Sequence, residues 1–186
     1  MNGKIFALKG NSKEFSIFIQ SCHDDGSDVM GITMQSRWQP LTNYTPTLLE
    51  IHMSDSGKKN YKFDFSGFLG PFLVFSEQAI DKLGDILLPK GQVLPVITES
   101  KKKKFFGYYP TNPLKGCFDK EKSIYREYPK GLMIDKPVLI EKNITDEYLF
   151  SIEEDISRVF VTDKFKARVE EAGLLGFDFS VEIQTT

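Results

Sequence analysis

The sequence predicts an α+β domain in which a mixed or antiparallel sheet carries two principal helices. Three observations point there. Over the first sixty-odd residues apolar and polar side chains alternate, the two-residue period of strands. A short apolar strand, a capped helix and a second extended run then follow one another across residues 72–98. The same order recurs across residues 149–183. At 186 residues the chain reads as a single domain, 1–186, with its β-rich part over about 1–66. A chain of this length buries about 70% of its unfolded surface, so it needs no metal or disulfide staple.

In the β-rich part, Phe15, Ile17 and Ile19 alternate with Ser16, Phe18 and Gln20. Leu49, Ile51 and Met53 alternate with Glu50, His52 and Ser54, and Tyr61, Phe63 and Phe65 with Lys62, Asp64 and Ser66. One set of each belongs on a buried face. The stretches 21–27 (SCHDDGS) and 54–60 (SDSGKKN) supply the Gly, Asp and Asn of turns.

In the second unit residues 72–75 are the strand and Ser76 is placed to cap a helix over residues 77–88, with Glu77 at the positive end of its dipole. Ala79, Ile80, Leu83, Ile86 and Leu87 recur at helical spacing; Pro89 and Gly91 end the helix. Residues 93–97 resume a strand, and Pro95 suggests a sheet edge. In the third unit residues 159–161 are the strand, Thr162 the cap and Asp163 the acid of the first turn in a helix over residues 163–172. Phe165, Val169 and Ala172 form its apolar stripe; Gly173 suits the left-handed stop, with Leu174 folding back on Val169. Phe177, Phe179 and Val181 alternate as a closing strand. Residues 99–134 read as one or two short strands among long loops with a flexible lysine-rich tip.

Composition excludes several function classes. With 24 basic and 26 acidic residues the net charge is −2, against the basic footprint that general nucleic-acid binding needs. No run approaches the eighteen or so apolar residues that cross a membrane, and the first fifteen residues lack the apolar stretch of a secretion signal. The expectation is a cytoplasmic protein whose two cysteines, Cys22 and Cys117, are reduced thiols.

Groups that carry chemistry are sparse, and no catalytic, cofactor-binding or metal-binding residue is assigned. Walker, dinucleotide, nucleophile-elbow and zincin motifs are all missing. Cys22, His23, Asp24 and Asp25 offer metal-ligand types, but His52 and Cys117 are not paired in spacing with them, so the stretch reads as a solvated turn. Cys117 with His23 or His52 would make a nucleophile pair, yet without a local signature the thiol reads as buried. Lys101, Lys102, Lys103 and Lys104 precede Phe105, Phe106, Gly107, Tyr108 and Tyr109. Such a stretch grips single-stranded nucleic acid if its rings are exposed; otherwise it is a lysine loop leading into a core strand. The acidic groups Asp24, Asp25, Asp28 and Glu153, Glu154, Asp155 are solvated turns or a face for a basic partner. Trp38 is a binding anchor or a core ring.

The end of the chain adds a resemblance. Leu149-Phe150-Ser151-Ile152, Val159-Phe160-Val161-Thr162-Asp163-Lys164-Phe165-Lys166 and Glu171-Ala172-Gly173-Leu174-Leu175-Gly176-Phe177-Asp178-Phe179 resemble the C-terminal signature of bacterial immunity proteins from polymorphic toxin systems. The likeness is to the families called immunity protein 11 and immunity protein 43. Leu73-Val74-Phe75-Ser76-Glu77-Gln78-Ala79 and Leu94-Pro95-Val96 are similar to an upstream element of theirs, with Gln92 where that element often has Glu. The resemblance covers about half the chain and implies a protein without catalytic residues or cofactor. Such a protein binds a cognate toxin and neutralises it by occlusion, presenting a rigid face of roughly 800 Å². Two alternatives stand beside it: an enzyme with an unfamiliar carboxylate or thiol site, and a weak nucleic-acid module through Lys101 to Tyr109.

Overall fold

Leu73, Val74, Phe75 and Ser76 are all buried, and so are Val159, Phe160, Val161 and Thr162. A strand with no wet residue must be covered on both faces, and this requirement organises the molecule. The computed structural model describes residues 3–186. It contains two six-stranded sheets, each with one of these runs in its interior.

Edge to edge, the first sheet is β3 (Ile17–Gln20), β4 (Thr47–His52), β7 (Gly91–Ile97), β8 (Phe105–Pro110), β6 (Leu73–Ser76) and β5 (Phe65–Ser66). The second is β12 (Val138–Leu139), β16 (Glu182–Thr185), β1 (Ile5–Ala7), β14 (Asp155–Thr162), β13 (Leu149–Ile152) and β9 (Pro113–Leu114). Pairing is antiparallel except at β4–β7, β12–β16 and β13–β9. Two ribbons complete the strands: β2 (Lys9–Gly10) with β15 (Phe177–Asp178), and β10 (Ile124–Tyr128) with β11 (Gly131–Lys136). The helices are α1 (Val29–Ser36), α2 (Glu77–Leu87) and α3 (Asp163–Glu171). The fold is α+β with mixed sheets.

Alternation along the interior strands divides the core. Phe6, Leu8, Val159 and Val161 of the second sheet meet Phe65, Leu73, Phe75 and Tyr108 of the first in one cluster. Ala79, Leu83 and Leu87 of α2 and Phe165 and Val169 of α3 complete it. The outer face of the first sheet packs Phe18, Leu49, Phe72, Val74 and Tyr109 with Val29 of α1. The outer face of the second packs Ile5, Phe150 and Phe160 under Tyr125, Leu132 and Ile134 of the β10–β11 ribbon.

Both principal helices lie within a residue of their expected bounds. Ser76 Oγ accepts from Ala79 N–H at 3.1 Å, as a cap should. Thr162 occupies the cap position of α3, but its hydroxyl donates to the Glu147 carbonyl at 2.9 Å and caps nothing. At the far end Gly173 takes φ +65°, Leu174 N–H reaches Val169 C=O at 3.1 Å, and Leu174 is buried in the cluster that holds Val169.

Several expectations are corrected. A third helix, α1, follows the first turn; its apolar residues form no stripe, though Asp28 caps it by accepting from Met30 and Gly31 N–H. On β3 the alternation is resolved in favour of the set that holds Phe18, which is fully buried, while Ile17 and Ile19 are half-buried. Asp64, expected on a wet face with Lys62, is buried. Pro95 lies on an interior strand: β4 pairs only with Val96 and Ile97, and the Pro95 carbonyl accepts from the Tyr44 hydroxyl at 2.7 Å. The closing strand is split, β15 pairing with β2 and β16 with β1, while Val181 between them is exposed. Residues 99–134 hold more strand than expected, including the interior strand β8.

Candidate interaction surface

The residue types singled out in sequence are mostly consumed by the fold. Asp24 accepts from Gly26 N–H, Leu48 N–H and Gln20 Nε2, and the bond from Gly26 leads in holding its carboxyl below the usual range. Cys22 and His23 beside it are exposed, as is His52. Cys117 is buried, its thiol donating to the Asn143 and Lys115 carbonyls. Burial raises its pKa, and the charges of Glu154 and Glu147 add to the effect. Both cysteines are free thiols. Among the described residues no group of three or more His, Cys, Asp and Glu is placed to hold a metal ion, and no helix is long and apolar enough to cross a membrane. Glu153 pairs with Lys115 at 3.6 Å and Asp155 with Arg158 at 3.6 Å.

Trp38 is buried, with Arg37 over its ring, and both residues have positive φ, 66° and 42°. The Trp38 backbone N–H donates to the Tyr109 hydroxyl, which in turn donates to the Thr33 carbonyl, each at 2.7 Å. In the lysine–aromatic stretch Phe105, Tyr108 and Tyr109 are buried, so these rings offer no stacking face. Lys103 is ion-paired with Asp64 at 3.0 Å. Gln92, where the resembling pattern often has Glu, accepts from Leu41 N–H at 2.8 Å and donates to Leu41 C=O at 2.9 Å. A carboxylate has no donor for the second bond.

One cleft of about 290 Å³ gathers carboxylates: Glu141, Asp146, Glu147 and Asp163, with Lys164. Two of the four are paired already, Asp146 with Lys164 at 2.9 Å and Glu147 with Lys90 at 3.2 Å. The hydrogen bond from Lys164 holds the Asp146 carboxyl below the usual range. Glu147 is buried, and its Oε2 has no hydrogen-bond partner. A cavity of about 330 Å³ beside α1 has Asp24 as its one carboxylate, and that carboxylate is committed to the backbone.

The exposed apolar side chains lie elsewhere. On the β10–β11 ribbon Tyr125, Leu132 and Ile134 face the core, while Ile124 (58% exposed), Tyr128 (52%) and Met133 (49%) face out. Arg126 joins Met133 and Asp135 across that outer face at 2.9 and 3.2 Å. Beside it opens the largest groove described here, about 600 Å³, between Asp135, Lys136 and Pro137 on one side and Val181, Glu182, Ile183 and Gln184 on the other. Ala7, Lys9 and Arg158 also line it. The same three line a smaller adjoining cavity of about 250 Å³ that reaches Gly67 and Gly70. Between those glycines Phe68 is 59% exposed. Large exposed apolar residues gathered beside a groove mark contact surfaces. Reading residues 99–134 as one or two short strands among long loops does not resolve this ribbon. The usable signal was alternation on either side of Pro129-Lys130-Gly131, a reversal of turn composition.

No protein-family model matches the chain, and no curated protein matches it.

Proposed function

We propose that this chain is a cytoplasmic bacterial immunity protein that binds a cognate toxin domain and neutralises it by occlusion. The observation that carries the reading is a division of labour along the chain. The segments that resemble immunity proteins, residues 72–96 and 149–179, contribute interior strands of both sheets, β6 and most of β7 in one and β13 and β14 in the other, together with α2 and α3. The exposed ribbon β10–β11 comes from the stretch between them, outside the resemblance. A family scaffold with a private contact surface suits proteins that share a fold and differ in partner, since binding residues sit on segments positioned by a rigid frame.

The test is co-expression with the toxin encoded next to this chain's own gene. Protection of the cells and co-purification of the two proteins are expected. Death of cells that contain soluble protein would overturn the reading.

A second reading, an enzyme, has one observation behind it. The carboxylate-lined cleft holds buried Glu147, whose Oε2 has no hydrogen-bond partner. Turnover of any compound in a metabolite screen, abolished by Glu147→Gln with the fold intact, would establish it over the first.

A further inference from the structure

Lys9, Lys136 and Arg158 line the groove beside the β10–β11 ribbon, together with Asp135 and Glu182. Both carboxylates are engaged by cations outside the groove: Asp135 by Arg126 at 3.2 Å and Glu182 by Lys4 at 2.9 Å. Arg158 reaches the Ile134 carbonyl through Nη2 at 3.3 Å. Its Nη1 lies 3.6 Å from Asp155 and makes no hydrogen bond. Among the described residues Lys9 and Lys136 enter no ion pair. Asp178 stands opposite Lys9 across β2–β15, but its Oδ1 accepts from Ser180 N–H. The groove therefore presents two lysines that enter no ion pair, beside Arg158 whose ion-pair partner Asp155 stands at 3.6 Å, in a molecule whose net charge is −2. Val181 and Pro137 stand in its wall; Met133 is exposed on the strand that supplies Asp135 and Lys136, and Phe68 is exposed next to Gly67 of the adjoining cavity.

We propose that this groove seats an extended acidic segment of the protein partner, whose carboxylates meet Lys9, Lys136 and Arg158 while its apolar side chains lie against Met133, Val181 and Phe68. The proposal rests on the immunity reading for the identity of the partner and on charge complementarity for the occupant. A groove of about 600 Å³ falls within the range, about 300–1,000 Å³, of sites that enclose ligands. The flanking apolar residues favour a peptide over a phosphate chain, and the aromatic platforms that stack bases do not line it. Opposed charges of this kind speed encounter and suppress wrong partners, and the effect weakens with salt.

The experiment titrates the isotope-labelled chain, followed by NMR, with a decapeptide of alternating Glu and Val at low salt. Shifts should concentrate at Lys9, Lys136, Arg158, Val181 and the ribbon, and fade at 0.5 M salt. Lys9→Glu with Lys136→Glu, two exposed positions whose reversal leaves the fold intact, should weaken peptide binding at least tenfold; Lys101→Glu with Lys102→Glu should leave it unchanged. Absent or scattered shifts would overturn the proposal. So would equal shifts with a ten-nucleotide thymidine strand, or a dimer of the free chain that the reversal dissociates. The same reversal in the co-expression assay separates the two readings. Cells still protected by the reversed variant sink the groove and leave the immunity reading standing. Cells unprotected even by the native chain sink the immunity reading, and the peptide titration still judges the groove.

Discussion

Asp64 and Leu175, 111 residues apart, are joined twice: Asp64 N–H donates to the Leu175 carbonyl, and Leu175 N–H to the Asp64 carboxylate, each at 2.8 Å. The other carboxylate oxygen accepts from Ser76 Oγ at 2.7 Å and pairs with Lys103 at 3.0 Å. One buried acid thus ties the loop after α3 to the cap of α2 and to the start of β8. The stretch after α3 that carries Leu175 is one half of that joint.

Asp64→Ala leaves the partly buried Leu175 N–H, the buried Ser76 hydroxyl and the Lys103 ammonium without their acceptor. The expected loss is about 3 kcal/mol of stability, a fall in melting temperature of about 6–12 °C for a chain of this size. Asp64→Asn keeps one acceptor and should lose less. Urea denaturation of both variants decides it, and equal stability of Asp64→Ala and the native chain would refute the joint.

Gly176 has φ +95°, and a Cβ there would lie 2.9 Å from Phe63 Cβ and 3.0 Å from the Phe65 carbonyl oxygen. Gly173 has φ +65° and nothing within 4 Å of the same position. Gly173→Ala should therefore cost only the left-handed penalty, about 1 kcal/mol. Gly176→Ala adds steric overlap and should cost about 2–4 kcal/mol. Thermal melts of the pair give the order, and a reversed order would show that Gly176 is not held against Phe63.

Arg168 grips Asp85 through two hydrogen bonds, 2.7 and 3.0 Å, and the Lys82 carbonyl at 2.9 Å, linking α3 to α2. The Arg168 hydrogen bond is the main cause holding the Asp85 carboxyl below its ordinary value. A carboxyl depressed in the folded state stabilises the fold above its unfolded pKa, and the gain is lost as pH falls through the folded one. The native chain's advantage over Arg168→Ala should thus be present at pH 7, begin to fade below about pH 4 and be lost as pH falls through the depressed folded-state value. An NMR titration should show Asp85 returning toward the ordinary range in the variant.

Cys117 is buried with a raised pKa, whereas Cys22 is exposed. At pH 7.5 a thiol reagent should label one cysteine quickly, and Cys22→Ser should abolish that fast phase. Fast labelling of the Cys22→Ser protein would place Cys117 in contact with solvent.

What could be read from the residues was local. Ser76 with Glu77, the spacing of Ala79, Leu83 and Leu87, and Gly173 followed by Leu174 obey rules that span one or two helical turns, so α2, α3 and their stops were legible in the sequence. Continuous apolar runs at Leu73 to Phe75 and Val159 to Val161 likewise announced buried strands. Helix α1 was not legible, because Val29 and Thr33 are its only buried residues and form no stripe. Nor was the ribbon, whose core face depends on a sheet built from residues far away in the chain. Asp64 shows the limit most clearly. Alternation put it in water, but partners at positions 76, 103 and 175 make its burial favourable, and no local pattern encodes them. The groove is of the same kind: Lys9 of β2, Lys136 of β11 and Arg158 of β14 meet only through the packing of strands far apart in the chain. Chain chemistry within a few residues determined the helices and the buried strands; long-range strand pairing alone decided which charges converge and which apolar side chains were left facing out.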